Sequence, residues 1–425
     1  MQKLFVALVL CSSMIEPLSG QQDTCSMKFG MNFMYLSSWR REMPFVDVMK
    51  SSRLWMTQNS VYVSGGQNLF DTGVRDSIPA DSDGYPLQLP YRVAGTETTQ
   101  IVLTQMADMQ NGVYPSGQYI CLYDGNSTIT FSGDASIVSQ TQGRIVLNVT
   151  PPNAGIQMRI MQSTFGNHIR NIRVLMPGHE ATYQTQPFNP AFLSKIAPFK
   201  VLRFMWWQYV NNSREMTWGS RRRTSYYTQG SYSSSNPNIP TGTAYELIVQ
   251  LCHQPNKDAW VCVPHIVDSN YVVQMAQVFK DNLNPSLKIY LEFSNEVWNG
   301  IFPVNQWVGA NGPRNLNHPQ KTASFARRIF TIWAGVFGSE MSTRVVRVAA
   351  CQLTNPWVGQ QMMAYLGPGG ADAISPAAYY ILQPENYDTL EALSSNATVS
   401  DVARMIRSWF PTLAGLFAQH QQLAQ

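Results

Sequence analysis

The alternation of strand-like and helix-like segments in the second half of the chain is the feature that most restricts its fold. Beyond residue 190, apolar runs of strand type are separated by stretches with helical periodicity. The strand-like runs cover 27–35 near the N-terminus and then 199–206, 259–265, 287–296, 344–352 and 371–380. Because neighbouring parallel strands need long crossover connections, this alternation predicts a parallel α/β sheet.

Helix-like segments fill the intervals between these runs. The predicted helices span 44–56, 269–283, 320–337 and 400–424. Asp268 is a suitable N-cap for the second of them, and Ser400 for the last. Pro411 should kink the last helix, because proline lacks the amide hydrogen that a helix interior needs.

Between 88 and 176 the pattern changes to short β-rich runs separated by Gly, Asn and Asp. Six or seven such strands with regular turn residues predict a β-sandwich of roughly 90 residues. The predicted organisation is 1–20 as a signal peptide, 21–87 as the first part of a barrel, 88–176 as an inserted β-sandwich domain, and 177–425 as the second part of the barrel.

The barrel prediction is incomplete in one respect. About six strand–helix units can be counted, whereas a closed (β/α)₈ barrel needs eight strands. The last predicted helix runs to the C-terminus, so the last strands are expected to be missing. The predicted fold class is therefore α/β, a (β/α)₈ TIM-barrel-like fold that is incomplete and carries an inserted β-sandwich domain.

The first twenty residues have the layout of a secretory signal peptide. Lys3 precedes an apolar run, Leu4–Cys11, and the segment has a polar end. No later run offers about 18 consecutive apolar residues, the length that a membrane-spanning helix needs. The tripeptides for N-glycosylation begin at Asn126, Asn148, Asn211 and Asn396. These features predict a secreted, extracellular glycoprotein with no membrane association after the signal peptide is cleaved.

The charge and the short motifs exclude several function classes. A net charge of +4 over 425 residues is too small to suggest nucleic-acid binding. The Gly-rich stretch GPGGAD at 367–372 precedes a strand rather than a helix, so it does not predict phosphate binding. The sequence has no dinucleotide fingerprint and no metal-ligand spacing, so no cofactor and no metal are predicted.

Five cysteines remain after removal of the signal peptide, and the odd number leaves at least one outside any intrachain disulfide. Cys252 and Cys262 are close enough in sequence to close a short loop, and they are the predicted disulfide. Cys351 lies in an apolar strand segment and is predicted to be a buried thiol.

The segment LKIYLEFSNEVWNG at 287–300 carries the strongest indication of chemistry. It begins as a buried strand and ends on Asn295 and Glu296, at the place where a (β/α)₈ enzyme carries its catalytic groups. A carboxyl group there could protonate a glycosidic oxygen, and Trp298 and Trp307 could present apolar faces to sugar rings. The alternative is an ordinary loop in which Glu296 caps a helix or forms a surface ion pair.

Residues 27–56 and 199–380 resemble the retaining glycoside hydrolases of the large (β/α)₈ clan, in which an acid/base Glu follows an Asn at the end of the fourth strand. The β-rich part ending in IRNIRVLMPG is similar to that of a little-characterised branch of secreted, hydrolase-like proteins carrying SNEVWN. The resemblance implies that Glu296 is the acid/base and that Asn295 is its partner.

The same resemblance implies further site residues. Arg203 in the second strand and His265 at the end of the third match positions where the clan keeps a site-lining Arg and His. Tyr379 or Tyr380, at the end of the sixth strand, matches the hydroxyl donor to the nucleophile. Trp206 is a further candidate for substrate binding. Each has a structural alternative: an ion pair within the barrel, a satisfied buried imidazole, or simple packing of the aromatic rings.

The chain departs from the clan where the nucleophile is expected. In the clan a second Glu ends the seventh strand, whereas here no strand follows the helix at 400–424. Glu385 and Asp268 remain as candidate bases for an inverting mechanism. We therefore expect a glycoside hydrolase-like protein that acts on, or descends from enzymes acting on, β-linked polysaccharide, with little retaining activity in this form. The alternative is a non-catalytic extracellular carbohydrate-binding or matrix protein.

Overall fold

The structure is a computed structural model that describes residues 29–108, 114–151, 154–232, 236, 238–379 and 386–424. The strands in these residues are β1 (Gly30–Asn32), β2 (Met56–Asn59), β3 (Gln100–Met106), β4 (Gly117–Asp124), β5 (Ser127–Gly133), β6 (Ala135–Thr141), β7 (Arg144–Val149), β8 (Ile156–Ser163), β9 (Arg170–Leu175), β10 (Val201–Arg203), β11 (Asp258–Val263), β12 (Ile289–Phe293), β13 (Val345–Gln352) and β14 (Ala373–Ala377). The α-helices are α1 (Pro190–Ile196), α2 (Tyr245–His253), α3 (Ser269–Asn282), α4 (Pro303–Asn311), α5 (His318–Phe337), α6 (Met341–Arg344), α7 (Pro356–Leu366), α8 (Tyr387–Leu393), α9 (Val399–Arg407) and α10 (Phe410–Leu423).

The chain divides into two compact units, which are described separately. The parallel unit consists of the described parts of Met1–Asn32, Phe199–Met205 and Asn256–Gln425. The antiparallel unit consists of the described parts of Phe33–Pro198 and Trp206–Pro255.

The parallel unit is built on a six-stranded parallel sheet in the order β1-β10-β11-β12-β13-β14. The sheet is curled into a half-barrel, and the predicted mixed α/β class is confirmed at that level. Every predicted strand-like run overlaps one of these strands, and each strand is shorter than its run. Spatial order follows chain order, so helices α3 to α7 provide the crossovers between the last four strands.

Helix α5 is amphipathic, and its apolar face packs on the parallel sheet. Its buried residues recur at helical spacing, with Ala326, Phe330, Trp333 and Phe337 facing inward. The predicted cap of α3 is confirmed, because the carboxylate of Asp268 accepts a hydrogen bond from the Tyr271 amide at 2.7 Å. None of the helices in the described residues combines the length and apolar character needed to span a membrane.

Two helix predictions are wrong. The segment 44–56 forms a single 3₁₀ turn, Val48–Ser51, and only its last residue, Met56, belongs to β2. Isolated β-bridges join Phe45 to Phe188 and Asp47 to Leu175, so pairing with distant residues overrides the local helical pattern. The C-terminal segment forms two helices, α9 and α10, rather than one kinked helix. Thr398, not Ser400, caps α9, and Pro411 lies in the first turn of α10, where no amide hydrogen is needed.

The antiparallel unit contains two four-stranded antiparallel sheets, ordered β2-β3-β8-β5 and β6-β7-β4-β9. Side chains from both sheets belong to one hydrophobic core; Val102 and Met158 come from the first sheet, and Leu147 and Val174 from the second. Strands β3 and β12 lie in different sheets. The unit extends beyond 88–176, since it includes β2 and the described residues of 206–255.

Candidate functional site

The backbone turns sharply where β12 ends. Ser294 and Glu296 have φ angles of 54° and 43°, in the left-handed region that non-glycine residues rarely adopt. The Ser294 amide still donates to the Val263 carbonyl at 2.9 Å, and the Asn299 amide closes a tight turn onto the Glu296 carbonyl at 2.8 Å. This turn holds Glu296 at the carboxyl end of the strand in a strained conformation, which is a common property of functional positions.

A cleft of about 460 Å³ lies at the carboxyl ends of β12, β13 and β14. Its walls come from the loop after β12, the ends of the two following strands, and the junction between α9 and α10. The lining residues are Glu296, Trp298, Asn299, Gly300, Gln352, Leu353, Thr354, Ala377, Tyr379, Trp409 and Leu413. The cleft therefore combines one carboxyl group with amides, hydroxyls and three aromatic rings.

Two of the predicted catalytic residues line this cleft together. The Glu296 carboxylate is partly exposed and accepts a hydrogen bond from the Asn299 side-chain amide at 3.1 Å. Tyr379 also lines the cleft and is 54% exposed, so its hydroxyl is open to a ligand. Tyr380 lies outside the described residues. Trp298 lines the cleft as well, and it packs against the hydrophobic cluster of β13 and α7.

Asn295 belongs to a buried polar network on the inner face of the sheet. The Arg203 guanidinium donates to the Asn295 side-chain oxygen at 3.0 Å and to the Asn32 side-chain oxygen at 3.2 Å. It also grips the Glu292 carboxylate through Nε and Nη2, with a shortest distance of 2.8 Å. Arg203 thus forms an ion pair within the sheet interior and fixes the amide beside Glu296.

Glu292 is the centre of this network, and the sequence reasoning missed it. Its side chain is 3% exposed and accepts further hydrogen bonds from Trp260 Nε1 at 2.7 Å and from the Cys262 thiol at 3.4 Å. A carboxylate within an otherwise apolar parallel strand is the sequence feature that could have revealed it, because buried acids need partners. The register of the sheet places Glu292 directly opposite Cys262.

The charges of this network reinforce one another. Burial alone would lower the pKa of Arg203, but the neighbouring carboxylates of Glu292 and Glu296 raise it, so the guanidinium stays charged. Burial also raises the pKa of Cys262 well above its usual value, which keeps the thiol protonated as a donor.

Cys252 and Cys262 both carry reduced thiols, so the predicted disulfide between them is wrong. The buried thiol predicted at Cys351 is confirmed.

His265 lies elsewhere in the parallel unit. It is 7% exposed and borders a cavity of about 20 Å³ on the helix-covered face, next to Phe293 and Phe325. Its ring meets Trp307 edge-on at 5.5 Å. Burial lowers the pKa of His265 to about 4, so the imidazole is neutral at pH 7. Its Nδ1 has no hydrogen-bond partner among the described residues. His265 and Trp307 do not line the cleft that contains Glu296.

Trp206 belongs to the antiparallel unit, where its ring meets Tyr35 edge-on at 5.9 Å. The acidic residues considered as second carboxylates lie away from the lining of the cleft. Asp268 caps α3, and Glu385 lies outside the described residues. Among the described residues that line the cleft, Glu296 alone is acidic.

The cleft can therefore donate or accept one proton, form hydrogen bonds to hydroxyl groups, and stack apolar sugar faces on tryptophan. Within the described parts of the chain, no group of three or more His, Cys, Asp or Glu residues is arranged to hold a metal ion. No family model, no curated protein and no solved structure matches this chain.

Proposed function

We propose that this protein is a secreted glycoside hydrolase-like protein that binds β-linked polysaccharide in the cleft at Glu296. The observation that carries the proposal is the position of the Glu296 carboxyl group. It lies at the carboxyl end of a central parallel strand and lines a cleft together with Tyr379, Trp298 and Trp409. In enzymes built on curled parallel sheets, substrates bind at this end of the strands.

The proposed architecture is a part of a (β/α)₈ barrel with an inserted β-sandwich. Six parallel strands in chain order, with intervening helices, support this assignment. The shared core of the two antiparallel sheets supports the sandwich. In this architecture, the buried Arg203–Glu292 pair acts as a support that holds Asn295 beside the acid.

Glu296 is the proposed acid/base. As an acid it would transfer its proton to the glycosidic oxygen while the bond from that oxygen to the anomeric carbon breaks. A complete reaction also requires a second carboxylate to attack the anomeric carbon or to activate water. Because Glu296 is the one acidic residue among the described residues of the cleft lining, we propose binding with little or no turnover.

The second candidate function is a non-catalytic extracellular carbohydrate-binding or matrix protein. The same observation favours it, since a cleft with a single carboxyl group is sufficient for binding but not for cleavage. The two candidates share a ligand class, and both predict binding with little or no turnover by the described residues of the cleft.

An assay of product release tests whether the cleft is a working hydrolase site. The full chain would be incubated with β-glucans, β-mannan, xylan and chitin, and new reducing ends would be measured for the native protein and for Glu296→Gln. We expect binding to at least one of these polysaccharides and little or no release of reducing ends. Rapid release that Glu296→Gln abolishes would show a complete hydrolase and overturn the non-catalytic reading. Release that is unchanged in Glu296→Gln would overturn the role of Glu296.

A further inference from the structure

The antiparallel unit contains a cavity of its own, with a volume of about 600 Å³. Two groups of loop residues form its walls, from 75–86 and 219–227, and Asn236 and 238–240 also line it. The volume falls within the range of small-molecule and oligosaccharide sites. None of the residues proposed above for glycan cleavage lines this cavity.

The floor of the cavity is apolar and aromatic. Trp55 and Tyr227 stack with their ring centroids 4.7 Å apart, and Tyr226 lies 5.0 Å from Tyr227. Ile78 and Val102 complete the floor. These five side chains are between 1% and 8% exposed, so they offer a small apolar patch to the C–H face of a sugar ring.

The rim is polar, and its arginine side chains already form ion pairs with carboxylates of the same unit. Arg223 bonds to Asp83 at 2.9 Å, and Arg221 bonds to Glu246 at 2.7 Å. Arg75 is paired with Asp76, and the Asp81 carboxylate is hydrogen-bonded to the His168 ring at 2.9 Å. An anionic ligand would have to displace these carboxylates, whereas a neutral ligand could bond to the guanidinium and amide groups that remain exposed.

The walls are held in place before any ligand arrives. Gly84 has a φ of 78°, and a side chain there would meet the Tyr227 ring at 2.7 Å, so glycine allows the close approach of the two walls. The Arg222 guanidinium, which is 1% exposed, donates to the carbonyl groups of Gly230 and Pro240. These contacts fix the segments beside the cavity, and preorganisation of this kind favours ligand binding.

We propose that this cavity is a second glycan-binding site, specific for neutral oligosaccharides and independent of the cleft at Glu296. The apolar floor would cover one face of a sugar residue. The Asn238 amide, which is exposed at the rim, and the edges of the arginines would bond to its hydroxyl groups. The protein would then hold one polysaccharide chain, or two separate chains, through two distinct units.

Three glycine-to-tryptophan variants of the full chain test the proposal. A side chain at Gly219, Gly300 or Gly335 would meet nothing within 4 Å, so each position accepts a larger residue. Gly219 lines the cavity of the antiparallel unit, Gly300 lines the cleft at Glu296, and Gly335 lines neither. Gly335→Trp is therefore the matched control for the effect of an added indole on folding.

The measurement is calorimetric titration of the Gly300→Trp variant, whose added indole is designed to obstruct the cleft at Glu296. The neutral probes are the hexasaccharides of β-1,4-glucose, β-1,3-glucose, xylose, mannose and N-acetylglucosamine. The anionic probes are hexagalacturonate and a heparin hexasaccharide. We expect at least one neutral probe to bind, the affinity to fall about tenfold or more on adding Gly219→Trp, and no change on adding Gly335→Trp.

Hydrogen exchange gives a second readout that does not depend on a variant. A bound neutral hexasaccharide should protect amides in 75–86 and 219–227 of the native chain. The proposal is overturned if none of the neutral probes binds, if the anionic probes bind more tightly, or if Gly219→Trp leaves both affinity and protection unchanged. Binding to the native chain that disappears in Gly300→Trp would place the glycan in the cleft at Glu296 alone and would also overturn the proposal.

Discussion

Among individual side chains, the candidate site depends most on the ion pair between Arg203 and Glu292. Replacing Arg203 by Met would leave the Glu292 carboxylate buried with two neutral donors, Trp260 and Cys262. We expect Arg203→Met to lower the free energy of unfolding of the parallel unit by about 3–5 kcal/mol, because a buried charge loses its counterion. Urea denaturation followed by tryptophan fluorescence measures this change.

A more exposed pair in the same unit provides the control. Arg347 bonds to Asp372 at 2.7 Å, but both side chains are partly exposed. Arg347→Met should therefore cost less than about 1 kcal/mol. The double variant Arg203→Met with Glu292→Gln should recover most of the lost stability, since it leaves no uncompensated charge. Equal effects of Arg203→Met and Arg347→Met would contradict the structural role of the buried pair.

His265 makes the stability of the parallel unit depend on pH. Burial lowers its pKa from 6.5 to about 4, so the folded state favours the neutral ring. This preference adds to the free energy of unfolding, fully above pH 6.5 and progressively less as the pH falls towards 4. The total change is on the order of 3 kcal/mol. Unfolding free energies at pH 7.0 and 4.5 should differ less for His265→Leu than for the native protein. An identical difference in both proteins would contradict a buried, neutral imidazole.

At the level of elements, a packed contact joins α10 to the sheet. His420 in α10 is fully buried; its Nε2 lies 3.1 Å from the Leu353 carbonyl, and its Nδ1 lies 3.6 Å from the Cys351 sulfur. Burial raises the pKa of Cys351 to about 12, so the thiol is protonated and can donate to the imidazole. Gly359 in α7 leaves the room for this contact, because a side chain there would meet the Cys351 sulfur at 3.1 Å.

Gly359→Leu should therefore push α10 away from α7 and release Trp409 and Leu413 from the cleft. Hydrogen exchange across Phe410–Leu423 should become faster. The matched control is Gly335→Leu in α5, where a side chain meets nothing within 4 Å and the helix gains up to about 1 kcal/mol in propensity. Unchanged exchange in Gly359→Leu would show that α10 does not depend on this contact.

The elements that could be predicted from the sequence are those with a strong local pattern. The apolar run at 287–296 and the Asp268 cap predicted β12 and α3 correctly, because burial and capping leave local signatures. The failure at 44–56 has a non-local cause, since Phe45 and Asp47 pair with the distant residues Phe188 and Leu175. Local pattern also placed Glu296 at a strand end.

The rest of the site depends on contacts between distant residues. Arg203 and Glu292 are 89 residues apart, and the register of β10, β11 and β12 brings them together. Trp409 enters the cleft because α10 packs on α7 and β14. No periodicity within a single segment reports either contact.

For the whole molecule, the exposure of the glycosylation tripeptides tests the proposed secretion. Asn126, Asn148 and Asn396 are exposed, whereas Asn211 is 1% exposed. When the chain is secreted from a eukaryotic cell, we expect glycans at the three exposed asparagines and none at Asn211. Mass spectrometry of tryptic glycopeptides measures the occupancy. A glycan at Asn211, or retention of the unglycosylated chain inside the cell, would contradict this prediction.

The cleft at Glu296 is proposed above to bind a β-linked glycan. Calorimetric titration of neutral β-linked hexasaccharides tests this in the Gly219→Trp variant, whose added indole is designed to obstruct the cavity of the antiparallel unit. We predict that one of them binds, that adding Gly300→Trp weakens binding about tenfold or more, and that adding Gly335→Trp has no effect. Binding that persists unchanged with Gly300→Trp, or no binding by any hexasaccharide, would contradict the claim.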